Sequence, residues 1–264
     1  MSITNIFYQS WEEELPNVIY NRNKIYIPST FIYKRFCMKD IISYLTDKWP
    51  HVLPAFYSYS IIQHKIDLWR YCILYDTGGI YMDADCVLME NIECLLKSDM
   101  FFVTNTQGKM DIFNGFIGTY PNNPIFLEII NFMLLADSSN YYFNCIELYK
   151  IVNSYIDINS TTQEYKLNDK TIYLLFDSKQ KDNRFYCYFY DKCLLVETNP
   201  FYPYRLREFK KYKINTFDDG NEKYKDYLNE WYVLHTENGK YMLKNIKNGL
   251  IINSISSWKV IELS

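Results

Sequence analysis

The stretch "KIDLWRYCILYDTGGIYMDADCVL", residues 65–88, decides how this chain folds. Together with Ile62 just upstream, Ile66, Trp69 and Ile73 make an apolar stripe at helical spacing. Gly78 and Gly79 then supply a helix stop. "IYMD" (80–83) follows as a short strand, so the stretch predicts a helix, a sharp turn and a strand that ends on Asp83 and Asp85. An Asp-x-Asp there can hold a metal, attack a phosphate or simply start an acidic turn.

The neighbouring segments extend the alternation. "NIFYQSW" (5–11) reads as a buried first strand and "STFIYKRF" (29–36) as a second. Apolar residues at 41, 42, 45 and 49 predict a helix stopped by Pro50. Downstream, "MFFVTNT" (100–106) and "NGFIG" (114–118) are strand-like, and "NPIFLEIINFMLL" (123–135) opens a helix with an Asn cap and Pro at the first position. "TIYLLF" (171–176), "CYFY" (187–190), "CLLVE" (193–197) and "WYVLH" (231–235) complete the strands, and "NTFDDGNEKYKD" (215–226) reads as a polar surface loop. Strands alternating with helices imply an α/β fold with a central sheet. No linker or repeat divides the chain, so one domain over residues 1–264 is expected.

Composition excludes several classes. With 48% hydrophobic residues in 264, the chain can bury a sizeable core and is not a disordered protein. Its 28 basic and 31 acidic residues are mixed along the chain, leaving no basic stripe for nucleic acid. No apolar run reaches the roughly 18 residues of a membrane span, and "MSITNIFYQSWEEELP" (1–16) has no signal-peptide pattern. Seven cysteines without a C-x-x-C pair read as reduced thiols, so a soluble cytoplasmic protein is expected.

Three readings of Asp83-x-Asp85 compete. The plainest is an acidic turn after an edge strand. "DADCV" (83–87) also fits the motif of haloacid-dehalogenase-type phosphatases, with Asp83 as nucleophile and Asp85 as acid/base. Roughly eighty residues precede it, however, whereas that motif usually opens its domain. The third reading is a divalent-metal site that grips the diphosphate of a nucleotide sugar. Its neighbours fit: Asp67 and Arg70, at i and i+3, share one face of the helix that feeds the strand. Taken alone, that pair would be an ordinary surface ion pair.

At this point a resemblance enters. Asp67, Arg70, Tyr71, Tyr75, Gly78, Gly79, Tyr81, Asp83 and Asp85 reproduce, in order, the S-D-x-x-R-Y and Y-x-x-G-G-x-Y-x-D-x-D pattern of DXD-containing glycosyltransferases of family 32, which include mannosyltransferases and capsular polysaccharide enzymes. Ile66 stands where that family has a small residue. "IFYQSW" (6–11), "FNGFIGTYPNNPIF" (113–126) and "NPFYPY" (199–204) resemble further elements, whereas the closing His–Trp cluster is spread between His235 and Trp258.

The resemblance implies a GT-A (Rossmann-like) nucleotide-sugar-binding domain with a mixed central sheet. It implies a metal-dependent transfer, with retention, from a UDP- or GDP-sugar to a glycan or protein-linked hydroxyl. Asp67, Arg70, Asp83 and Asp85 would be catalytic. Asp83, Asp85 and His235 would hold Mn²⁺ or Mg²⁺. Trp11, Tyr81, Asn114, Gly115, Ser256 and Trp258 would line the donor site, with Trp11 stacked on the base. Trp11 as a core aromatic and His235 as a buried structural histidine remain open, as does an inactive module that only binds a sugar nucleotide or glycan. His51 and His64 read as ordinary residues.

Overall fold

The computed structural model describes residues 2–11, 23–105, 110–136, 138–159, 161–179 and 185–197, and four strands between 231 and 262. The chain divides into two compact units, Met1–Leu15 with Tyr26–Val196, and Pro16–Ile25 with Glu197–Ser264.

The first unit begins with strands β1 (Ile6–Ser10) and β2 (Ile32–Phe36), helices α1 (Met38–Lys48), α2 (Leu53–Ser58) and α3 (Ile62–Thr77), then β3 (Gly79–Met82), β4 (Cys86–Leu88), β5 (Met100–Asn105) and β6 (Ile112–Thr119). Helices α4 (Pro124–Leu135) and α5 (Phe143–Ile156) follow, then β7 (Glu164–Leu167), β8 (Lys170–Lys179), β9 (Phe185–Phe189) and β10 (Lys192–Glu197). Their sheet runs β2-β1-β3-β6-β5-β8-β9-β10-β4, with β7 paired to β8. Strands β2, β1 and β3 are parallel, and β6 runs antiparallel between β3 and β5. This is an α/β fold with a mixed central sheet, as a GT-A domain requires.

Alternation along the strands explains how the sheet is buried on both faces. Tyr8, Tyr81, Phe102, Ile117 and Leu174 enter one apolar cluster with Ile41, Leu45, Leu68, Ile129 and Leu148 of the helices. Their strand neighbours Phe7, Ile80, Phe101, Phe116 and Leu175 enter a second cluster with Leu88, Leu95 and Leu194.

The predicted helices and strands are found, with the Asn123 side chain capping α4 at Ile125 N. Helices α2 and α5 and strands β4 and β7 of this unit went unread in the sequence. Strand β3 is also not an edge: β1 and β6 flank it. That removes the plainest reading of Asp83, a turn after an edge strand.

The second unit contains an antiparallel meander, β11 (Trp231–His235), β12 (Tyr241–Asn245), β13 (Ile251–Ile255) and β14 (Lys259–Glu262). The expected polar loop 215–226 lies outside the described residues. Among the described residues, no helix is long and apolar enough to cross a membrane. None of the seven cysteines is joined in a disulfide among the described residues.

Candidate active site

Two glycines make the site possible. Gly78 ends α3 at φ 63°, and Gly79 begins β3 at φ 108°. A Cβ on Gly79 would lie 2.7 Å from the Ile6 carbonyl oxygen, so β3 approaches β1 only because no side chain stands there. The chain therefore reverses sharply from α3 into an internal strand, and Asp67 and Arg70 of the helix face the end of that strand.

There, Arg70 is the hub. Its Nη2 donates to Asp83 Oδ1 at 2.6 Å and its Nη1 to the Asn114 carbonyl at 2.6 Å. Nη1 also lies 3.3 Å from Asp67 Oδ1. The guanidinium sits 3.9 Å from the centre of the Tyr81 ring, a cation–π contact. The Arg70 side chain is 3% exposed and that of Asp67 11%, so this is no surface ion pair. Asp83 is 29% exposed and opens the site outward. Among the described residues Arg70 Nε has no hydrogen-bond partner although it is buried. A buried donor left without a partner is costly, and functional sites are where such groups gather.

The surrounding polar residues hold this hub in place. Tyr81 donates its hydroxyl hydrogen to Asp83 Oδ1 at 2.9 Å, and its oxygen also lies 2.9 Å from Ser10 Oγ. Gln9 donates to the Asp83 carbonyl at 3.1 Å, and Tyr33 donates to Gln9 Oε1. Asn114 Nδ2 donates to the Tyr71 hydroxyl at 2.8 Å, and Asn144 Nδ2 donates to Asp67 Oδ2 at 2.8 Å.

Charge follows burial. Burial pushes the Asp67 carboxyl up, against the opposing pull of Arg70 and the Asn144 amide. Burial alone would draw the Arg70 guanidinium down, but Asp83, Tyr81 and Asp67 hold it well above its ordinary value. Burial raises the Tyr81 and Tyr71 phenols, so both stay neutral hydrogen-bonding groups.

Asp83, Ala84 and Asp85 lead into a tight turn closed by the Cys86 amide donating to the Asp83 carbonyl at 3.1 Å. Asp85 is half-buried on that turn. Among the described residues no three His, Cys, Asp or Glu side chains gather into a metal cage. Two carboxylates on a turn instead fit a hard cation that takes its remaining oxygens from phosphate and water.

The structure thus brings Asp67, Arg70, Tyr81, Asp83, Asn114 and Gly115 together. Gly115 accepts from the Asp83 amide at 2.7 Å, and a Cβ on it would come within 2.4 Å of Asp83 Oδ2. Tyr81 and Asn114 are buried, so in this structure they act on the site through Asp83, Arg70 and Asn144. Trp11 is half-buried directly after β1, at the strand end shared with Asp83. His235 closes β11, but its side chain lies outside the described residues, as do Ser256 and Trp258. His64 packs against Tyr59 and Phe143.

Sequence reasoning missed Ser10, Gln9 and Asn144. Asn144 meets Asp67 from 77 residues away, on a helix whose local pattern carries no chemical signal.

The position of Trp11 sets up a test. Trp11→Ala should weaken nucleotide affinity by roughly 1–3 kcal/mol, the range for stacking of a base on an aromatic ring, and Trp11→Phe should change it little. Calorimetric titration with nucleoside diphosphate measures this. A lowered Tm with unchanged affinity would make Trp11 a core residue.

Residues 5–102 match the family described as a glycosyltransferase sugar-binding region containing a DXD motif. The chain is 32% identical over 148 residues to an uncharacterized glycosyltransferase of Acanthamoeba polyphaga mimivirus, covering 52% of this chain and 59% of that protein. It is 30% identical over 91 residues to an inositol phosphoceramide mannosyltransferase of Schizosaccharomyces pombe, covering 34% of this chain and 28% of that one. With a mannosyl phosphorylinositol ceramide synthase of Saccharomyces cerevisiae it shares 29% over 140 residues, covering 47% and 36%. The matched region therefore spans only part of these relatives' own length. The whole Asp67–Arg70–Asp83–Asp85 constellation falls within residues 5–102, the region that matches the DXD-containing glycosyltransferase sugar-binding family.

Proposed function

We propose that the chain, working as one unit over residues 1–264, transfers a sugar from a nucleotide-sugar donor to a hydroxyl acceptor, with a divalent cation and with retention. The observation that carries this is the buried Arg70, which fixes Asp83 with one nitrogen and keeps Nε unpartnered among the described residues. Such an arrangement suits an arginine that anchors the carboxylates of the site in place.

Asp85, on the outward turn, would hold the cation, with Asp83 behind it touching the metal through water or the donor ribose. When bound, the cation neutralises charge on the departing diphosphate. Asp67 would accept hydrogen bonds from the transferring sugar, and Trp11 would carry the base. In a front-side displacement the sugar–phosphate bond breaks as the acceptor oxygen bonds to the anomeric carbon, and the acceptor proton passes to the leaving phosphate. A phosphatase reading needs Asp83 as a free nucleophile, and an oxygen tied to both Arg70 and Tyr81 is a poor one.

Two relatives are named for mannosyl transfer, so GDP-mannose heads a panel of UDP- and GDP-sugars assayed with Mn²⁺ for nucleoside diphosphate release. Release should stop in EDTA and return with Mn²⁺. Full release in excess chelator removes the cation from the reading. Hydrolysis of a generic phosphomonoester that is lost in Asp83→Asn would favour the phosphatase, and binding without release would favour a non-catalytic module.

A further inference from the structure

On the turn that leads into α5, beside the buried hub, lies a pair of aromatic side chains that the transfer reaction leaves without a role. Tyr141 is 48% exposed and Tyr142 54%, and their rings meet edge to face at 5.0 Å and 82°. They precede α5, and three features fix them there. Asn140 Oδ1 accepts from the Tyr142 amide at 2.9 Å, and the Phe143 amide donates to the Asn140 carbonyl at 3.1 Å. From below, His64 Nε2 donates to the Tyr141 carbonyl at 2.9 Å, and its ring lies against that of Tyr141.

This anchoring sets the pair beside the chemistry. His64 stands one turn before Asp67 on α3. Asn144, two residues beyond Tyr142, is the residue that donates to Asp67. Isolated exposed aromatics are ordinary on a protein surface. A crossed, half-exposed pair anchored by His64 on the helix that carries Asp67 is a different object, because it offers exposed ring surface beside the site.

We propose that Tyr141 and Tyr142 form the acceptor subsite, an aromatic platform for a saturated, polyhydroxylated six-membered ring, a pyranose or a cyclitol. Such a ring offers a face of C–H groups that suits the negative π-face of tyrosine, while its hydroxyls point outward to polar partners. Stacked on Tyr141, it would turn a hydroxyl toward Asp67 and the donor. The Tyr141 phenol is pushed up by burial and by the negative Asp67 and Asp83, so it stays protonated and can donate to a ring oxygen. The inference rests on the transferase reading for its name, acceptor, but the ring site itself can be tested separately.

The test uses the full chain, loaded with nucleoside diphosphate and Mn²⁺. Saturation-transfer NMR measures binding of methyl α-mannopyranoside, myo-inositol and, as an acyclic control, glycerol. Wild type should bind at least one of the two rings and show no comparable signal with glycerol. Tyr141→Ala and Tyr142→Ala should each weaken ring binding by roughly tenfold or more, whereas Tyr141→Phe should keep most of it. Donor hydrolysis without acceptor should be unchanged in all three variants. A stronger signal from the pyranoside points to a glycan acceptor, and one from inositol to a cyclitol headgroup; either supports the platform. Absence of ring binding in wild type, or unchanged binding in both alanine variants, overturns it. If wild type binds a ring but hydrolyses no sugar nucleotide, the transferase reading fails while the platform stands.

Discussion

Arg70→Lys should cut turnover by roughly 10²-fold or more, about 2.7 kcal/mol of transition-state stabilisation, and should also lower Tm by several degrees. The two losses have one origin. Arg70 spans Asp83 Oδ1, the Asn114 carbonyl and Asp67 Oδ1 with two nitrogens of a planar fork. A lysine keeps the charge but offers a single point of donation, so at least one buried acceptor loses its partner. Leaving one buried polar group unsatisfied costs about 1–3 kcal/mol, and more when it is charged. In a chain of this size each kcal/mol moves Tm by about 2–4 °C.

Asp67→Asn is the companion variant. It keeps the shape and loses the charged acceptor, so turnover should fall to a similar degree while nucleoside diphosphate affinity changes much less. Lys150→Ala serves as a control, because it breaks only an exposed pair with Glu147 and should leave both turnover and Tm unchanged. Turnover near wild type in both Arg70→Lys and Asp67→Asn would reduce the hub to a structural ion-pair network.

The legibility of this site in the sequence varies residue by residue. Asp67, Arg70, Tyr81, Asp83 and Asp85 lie within one helix–turn–strand, where spacing alone shows which side chains share a face, and Gly78-Gly79 marks the reversal. What the pattern could not show is depth. The i, i+3 spacing of Asp67 and Arg70 is the same on a surface as in a core, and the pair is buried because α5 and β6 cover it, elements distant in the chain. Asn144 illustrates the limit: a polar residue in an amphipathic helix becomes a ligand of Asp67 only through packing. The same holds for Gln9 and Ser10, which lie within the segment read only as a buried first strand and prove to support Asp83 and Tyr81. Helix α5 itself went unread because the polar Asn144 stands on its buried face and no capping residue announces its start.

Gly115→Ala should separate catalysis from folding most cleanly. Gly115 lies on β6 beside the end of β3 and is paired to Asp83 through its carbonyl. An added methyl would sit 2.3 Å from Phe113 Cζ and 2.4 Å from Asp83 Oδ2. Both contacts are too close to persist, and both involve side-chain ends, so the strand pairing can survive while the side chains give way. Asp83 has little freedom to move: its other oxygen is held by Arg70 at 2.6 Å and Tyr81 at 2.9 Å. Turning the carboxylate away from the methyl breaks one of these bonds and shifts the group proposed to back the cation. A displacement of about 1 Å in a reacting constellation can cost roughly 10²-fold, so turnover should fall by that order while Tm changes little.

Gly118→Ala on the same strand gives the opposite expectation. Its methyl would meet the buried Phe101 ring at 2.2 Å, inside the core, so it should lower Tm and spare the turnover of the folded fraction. The double variant Gly115→Ala with Phe113→Ala decides which neighbour matters. If the ring alone yields, removing it restores turnover; if Asp83 is displaced, turnover stays low. Wild-type turnover in Gly115→Ala alone would mean that the exact position of the Asp83 carboxylate does not limit the reaction.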